Sequence, residues 1–166
     1  MSNLPMLIFM KLTFRPIGDD EIELTKAMKR DTAASAMGDA SLFDLWFGPE
    51  RPFEAFIARL REHDPDSCQF ALLNGDIIGH LHLIMVDGGD CGHMTDIYLK
   101  PAYRGQGLGT QLEAQAMAFF KKYGARRAQL RTNPHNAKLI AFYERLGWVL
   151  GEPSEHGSVW MNKILA

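Results

Sequence analysis

The chain has 166 residues, 46% hydrophobic and 23% charged, an ordinary soluble globular composition and enough length for one domain, residues 1–166, with a sizeable core. A formal net charge of −2 and a pI near 6.3 supply no overall basic field, which argues against a nucleic-acid binder. Two cysteines, Cys68 and Cys91, are too few and too far apart for a disulfide scaffold or a Cys-x-x-Cys metal site, so a reducing cytoplasm is the expected compartment.

The apolar run at residues 6–10 is far below the roughly 20 residues of a membrane span and has no basic leader with a cleavage site, so no membrane association is expected. It reads as the lead-in to a first strand over residues 7–14, where Leu12 and Phe14 alternate with Lys11, Thr13 and Arg15 until Pro16 closes it. Gly18-Asp19-Asp20 then caps a helix over residues 21–29. Residues 31–52 show no clear period: Phe43, Trp46 and Phe47 are interleaved with Asp31, Asp39, Asp44 and Glu50, and Gly48-Pro49 breaks the segment. A second helix starts at Pro52, carries Phe53, Phe56, Ile57 and Leu60 at helical spacing, and ends at His63-Asp64-Pro65.

A meander follows. Strands over residues 68–73 and 76–86 flank Asn74-Gly75, a strong hairpin signal, and Gly88-Gly89-Asp90 turns into a third antiparallel neighbour over residues 91–99. Beyond Pro101 a long helix runs to about Tyr123, with Leu108, Leu112, Ala116, Phe119 and Phe120 on one face and Gly124 as its stop. A strand over 127–132 is broken by Asn133-Pro134, a short helix opens at Asn136 and ends at Gly147, and strands over 148–150 and 157–164 close the chain. The expected order is β-α-α-β-β-β-α-β-α-β-β.

The chemistry centres on the turn between the strand ending at Leu99 and the long helix, where Gly105, Gly107 and Gly109 alternate. Glycine permits positive φ and close backbone approach, so several N–H groups can converge on one anion. The helix beginning near Gly107 adds unpaired donors and the positive end of its dipole, and Arg104 adds a full charge. A Walker loop needs Lys-Ser/Thr after its last glycine, whereas Gly109 is followed by Thr110-Gln111; a dinucleotide fingerprint has different glycine spacing and comes early in a βαβ unit. Neither nucleotide motif fits.

The segment Arg104-Gly105-Gln106-Gly107-Leu108-Gly109 resembles the Arg/Gln-x-x-Gly-x-Gly/Ala loop of the GNAT superfamily of N-acetyltransferases. Downstream, residues 136–148, from Asn136 through Phe142-Tyr143 to Gly147-Trp148, are similar to its Asn-x-x-Ala-x-x-Phe-Tyr-x-x-x-Gly-Phe segment, with Ala137 and Ala141 bracketing the usual alanine. The resemblance spans residues 90–150. It implies the α/β (α+β) GNAT fold, a central mixed, mostly antiparallel sheet of about seven strands flanked by about four helices.

The resemblance also implies acetyl-coenzyme A as co-substrate, with no metal. Its pyrophosphate would rest on the backbone of Gly105, Gln106, Gly107, Leu108, Gly109 and Thr110, with Arg104 nearby. Its pantetheine arm would pair with the backbone of Ile97, Tyr98 and Leu99, and Asn136 would reach it from the second motif. Tyr143 falls where the family places a general acid, and a phenol of pKa about 10 suits reprotonation of a thiolate. The acceptor would be a primary amine on a small molecule or a peptide, and a homodimer is compatible with the family. A non-catalytic module that binds or senses acyl-coenzyme A is the alternative on the same fold.

Transfer to an amine also needs a proton acceptor, because an alkylammonium of pKa about 10.4 is almost wholly charged at neutral pH. His93 and Asp96 are the candidates on the strand, although alternation puts them on opposite faces unless a bulge intervenes; a water chain is the other route. His80 and His82 alternate on the preceding strand and can face the same cleft, but with no third ligand evident their spacing does not make a metal site. Asp39 and Asp44 beside Trp46 and Phe47 suggest an ammonium pocket; core aromatics with capping aspartates is the preferred reading.

Overall fold

Alternating apolar residues and glycine-bearing turns fold residues 10–165, the part of the chain that the computed structural model describes, into one seven-stranded sheet with helices on both faces. The strands are β1 (Thr13–Pro16), β2 (Cys68–Leu73), β3 (Asp76–Val86), β4 (Cys91–Leu99), β5 (Arg127–Thr132), β6 (Val149–Pro153) and β7 (Val159–Ile164). Their order is β1-β2-β3-β4-β5-β7-β6, and all neighbours are antiparallel except β4 and β5. The helices are α1 (Ile22–Ser35), α2 (Leu42–Trp46), α3 (Phe53–His63), α4 (Leu108–Lys122) and α5 (Ala137–Arg145). Among the described residues no helix is long and apolar enough to cross a membrane.

Strand alternation divides the core in two. Leu81, Leu83 and Met94 face Leu112, Phe120, Tyr143 and Trp148 on the α4–α5 side. Phe70 and Tyr98 face Ile17, Phe43, Phe53, Ile57 and Leu60 on the α1–α3 side. Gly92 lets α4 come down on β4, because a Cβ there would fall inside the Phe120 ring.

Strands β2 to β5 have the expected bounds, and Asn74-Gly75 makes the expected turn with both residues at positive φ, 51° and 85°. The first strand begins later than expected: pairing starts at Thr13 and runs through Pro16, which an edge strand tolerates, while residues 7–9 lie outside the described part of the chain. α1 runs on to Ser35, because Asp31-Thr-Ala-Ala-Ser contains no breaker before Gly38, whose φ is +76°. The five-residue α2 was too short to show a period, and it makes a fifth helix where about four were expected.

Two irregularities in the sheet create the site. On β4, His82 opposes Asp96 and Leu83 opposes Met94, so Thr95 is an extra, bulged residue. The expectation that His93 and Asp96 face opposite ways is thereby overturned: both turn toward the α1–α3 side and both line one cleft. In addition, β4 pairs with β5 only from Cys91–Arg127 to His93–Gln129, while β5 continues along β7 to Thr132. Beyond His93 the two parallel strands part and leave the edge of β4 without a strand partner.

Candidate active site

A cleft of about 1230 Å³ occupies this opening, with walls from α1, α2 and α3 on one side and from the α4 loop and α5 on the other. Gly105 and Gly107 hold φ of 73° and 81° with open space where a Cβ would be, so backbone conformation is what demands glycine there. Gly109 is helical instead; a Cβ on it would come 3.2 Å from the Phe142 ring, so its smallness serves the contact between α4 and α5. Gly107 caps α4 without any side-chain bond, which leaves the first-turn N–H groups pointing out unpaired.

Arg104 is committed on one side. Its Nε donates to the Leu99 carbonyl at 2.8 Å and its Nη2 to Asp31 at 3.2 Å, while Asp31 also accepts from the Tyr98 hydroxyl at 2.5 Å. Ile97, Tyr98 and Leu99 border the cleft, and the Leu99 carbonyl already holds that guanidinium. Gln106 and Leu108 are absent from the lining: Gln106 donates to the Ala102 carbonyl and Leu108 is 1% exposed in the core, so only their backbones are placed to contribute. Asn136 does line the cleft, but its Oδ1 caps α5 through the Leu139 N–H and its Nδ2 donates to the Ala36 carbonyl at 3.0 Å, tying α5 to the end of α1.

Below the cleft lies a buried polar chain. Asp96, 5% exposed, accepts from His80 Nε2 at 2.5 Å and from the Thr32 hydroxyl at 3.1 Å, with the Lys29 ammonium 3.7 Å away. Thr25 Oγ1 lies 2.7 Å from His80 Nδ1 and 2.8 Å from His82 Nε2, and both imidazoles are fully buried. Burial alone would raise the Asp96 pKa, but Lys29 and His80 outweigh it and hold the carboxyl well below the usual range. An ionised Asp96 draws the Nε2–H of His80, and the Thr25 hydroxyl bridges the two imidazoles behind it. His82 stays uncharged, mainly through burial, and its Nδ1 is left without a partner.

His80, His82 and Asp96 therefore supply the three converging donors that spacing alone could not, all within 4.8 Å of one another. Most of their donor atoms are already engaged, His80 Nε2 by Asp96 and His80 Nδ1 and His82 Nε2 by Thr25, the two imidazoles are stacked at 4.0 Å, and the Lys29 ammonium lies 3.7 Å from Asp96, while His82 Nδ1 alone is left over. Lys29 also donates to the Thr95 carbonyl at 3.1 Å, so one ammonium clamps the bulge and neutralises Asp96.

Two side chains face the cleft with their own chemistry. His93 is pushed down to about 4, by burial first and then by the charges of Arg131 and Lys29, so its imidazole is neutral at neutral pH. Tyr143, 2% exposed between Phe142 and Trp148, is raised well above the ordinary phenol by burial, with Asp96 and Glu113 adding to it, and keeps its proton. Trp46 and Phe47 line the cleft as well, whereas Asp39 binds the Ser41 hydroxyl and Asp44 pairs outside with Arg30. The suggested ammonium pocket thus lacks its carboxylates, and the Trp46 face is taken by Lys29 at 4.8 Å.

Sequence reading missed Lys29, Asp31 and the chain behind Asp96. A signal was present: Thr25, Lys29 and Thr32 recur at helical spacing and are buried with Met28 and Ala33, so the packed face of α1 is half polar.

Comparison with known proteins gives the family and the fold. The model of the acetyltransferase (GNAT) family matches residues 34–148. An uncharacterised N-acetyltransferase of Methanocaldococcus jannaschii is 27% identical over 110 residues, 63% of this chain and 47% of that protein. Mycothiol acetyltransferase of Corynebacterium glutamicum is 30% identical over 87 residues, 52% of this chain and 30% of that protein. The matches thus span less than half the length of these curated relatives. Among solved structures, the PaiA N-acetyltransferase of Thermoplasma acidophilum in complex with coenzyme A superposes with a TM-score of 0.75 at 19% identity, covering 93% of this chain and 99% of that one.

Proposed function

The chain belongs to the acetyltransferase (GNAT) family, and we propose that it transfers an acetyl group from acetyl-coenzyme A to a primary amine that attacks the thioester directly. The observation that carries this reading is the meeting, in one cleft, of the unpartnered β4 edge, the uncapped N-terminus of α4 and the Tyr143 side chain. These features suit a long polyanionic thioester. The first-turn amides of α4, with Lys138 and Arg145 on α5, suit its phosphates, and the β4 edge suits an amide arm lying as an added strand. The solved relative that holds coenzyme A has the same fold and supports this use of the cleft.

The bound thioester supplies the acetyl group; the rest is this chain's work. Burial, with the charges of Arg131 and Lys29 added to it, keeps His93 uncharged and disfavours an ammonium beside it, so an acceptor amine is steered toward its neutral, nucleophilic form. His93 offers a lone pair at neutral pH and is our choice for the group that takes the amine's proton, directly or through water. Asp96, ionised and held by Lys29 and His80, is a fixed anion that sets Lys29 in place rather than a base. Tyr143, which lines the cleft and keeps its proton, is our choice for the group that returns one to the leaving thiolate.

Thiol release from acetyl-coenzyme A by the purified protein, across polyamines, amino acids, aminoglycosides and peptides, tests the proposal. Release above the acceptor-free background is expected with at least one class. Tight binding of acetyl-coenzyme A without turnover on any amine would favour a binding module on the same fold.

A further inference from the structure

The lining of the cleft is electrically lopsided in a chain whose net charge is −2. Arg104, Lys138 and Arg145 stand on the glycine-loop and α5 side, where a polyanionic cofactor accounts for them. Four more cations, Lys29, Arg51, Arg59 and Arg131, come from the α1–α3 wall and from β5, against three carboxylates in the whole lining, Glu50, Asp96 and Glu155.

Two of those carboxylates are accounted for. Asp96 is held by Lys29 at 3.7 Å and by His80, and Glu155 lies 3.6 Å from Arg131. Glu50 pairs with neither arginine. Among the described residues no carboxylate comes within ion-pair reach of Arg51 or Arg59, both of which are exposed and line the cleft. A polycationic acceptor entering here would meet repulsion, and the Trp46 face that would attract an ammonium is covered by Lys29 at 4.8 Å. A carboxylate would instead find planar donors matched to its own geometry.

We propose that the acceptor is a primary amine that also carries an acidic side chain, whose carboxylate Arg51 and Arg59 bind while the amine reaches into the opening beside His93. This rests on the acetyl-transfer reading and narrows its substrate class. A free acidic amino acid and a peptide beginning with an acidic residue present the same chemistry, and the cleft is open enough to admit either.

The test pairs acceptors that differ in side-chain charge: glutamate against glutamine, and C-terminally amidated tripeptides beginning with Asp or Asn. Thiol release is measured on the wild type and on an Arg51→Gln/Arg59→Gln variant, with acetyl-coenzyme A affinity followed in parallel. The acidic member of at least one pair is expected to show a kcat/KM at least about tenfold higher than its neutral partner, a preference the double variant loses while cofactor affinity holds. Which pair shows it identifies the source. Equal or better turnover of the neutral members or of a polyamine, or a preference unchanged in the variant, would overturn the proposal and leave acetyl transfer standing.

Calorimetry on the complex with coenzyme A supplies a readout that needs no turnover, with the same four acceptors as probes. Charge-selective binding lost in the variant, without turnover on any amine, would retain the carboxylate site and discard acetyl transfer. Absence of charge-selective binding together with absence of turnover would discard both.

Discussion

Removing one oxygen from Tyr143 leaves its ring against Phe142 and Trp148, so Tyr143→Phe separates chemistry from packing. If the phenol returns the proton to the thiolate, kcat falls by about 10²-fold or more while acetyl-coenzyme A affinity and melting temperature hold, as steady-state kinetics and calorimetry would read. An unchanged kcat would take Tyr143 out of the mechanism. His93 makes a different prediction, because its pKa of about 4 keeps it neutral across the working range. The acid limb of kcat/KM should therefore follow the ammonium of whichever acceptor is used, and no limb should appear near the ordinary imidazole value of 6.5. A limb near 6.5 that disappears in His93→Gln would show that burial and the charges of Arg131 and Lys29 act on His93 less than the geometry implies. At this scale the sequence singled out Tyr143, Asn136 and the loop glycines by type and motif position, and the fold brings them to one cleft. The sequence concealed Lys29, because a lysine near the middle of a helix looks solvated until the fold buries it.

The bulge at Thr95 binds β4 to α1 through Lys29, which reaches both the Thr95 carbonyl and the Asp96 carboxylate. Strand bounds were legible from alternation and turn residues, since β2 to β5 each lie between recognisable punctuation such as Asn74-Gly75 and Asn133-Pro134. The bulge was not, because an extra residue in one strand is defined only against its partner's register, and that register depends on which side chains both faces bury. The energetic weight of the clamp can be measured. Asp96→Ala leaves the Lys29 ammonium buried and unpaired, which should cost about 3–5 kcal/mol in denaturant titrations. A Lys29→Met/Asp96→Leu pair should recover most of that stability, because buried ion pairs are replaceable by apolar packing, and should still lose activity because the bulge has lost its clamp. Recovery of both would show that the ion pair only fills space.

The molecule as a whole is a sheet held continuous at one end of the β4–β5 seam and open at the other, with α1–α3 and α4–α5 packed on opposite faces. Across the open end few groups join the two sides: Arg104 to Asp31, Asn136 to the Ala36 carbonyl, and Asn133 to the Met37 carbonyl. A co-substrate that lies along the β4 edge and rests on the α4 amides would add contacts to both sides at once, and it would bind the folded state alone. At a concentration about 100 times its dissociation constant it should stabilise the fold by about 2.7 kcal/mol. For a chain of this size each kcal/mol moves the melting temperature by about 2–4 °C, so a rise of about 5–10 °C is expected. The rise should shrink when the 3′-phosphate or the whole nucleotide is removed from the probe, since the cations on α5 and the α4 amides would lose their partners. A full rise from pantetheine alone would place the binding energy on the β4 edge and leave the glycine loop without a ligand. No rise from acetyl-coenzyme A would remove the cofactor from the cleft and the transfer reaction with it.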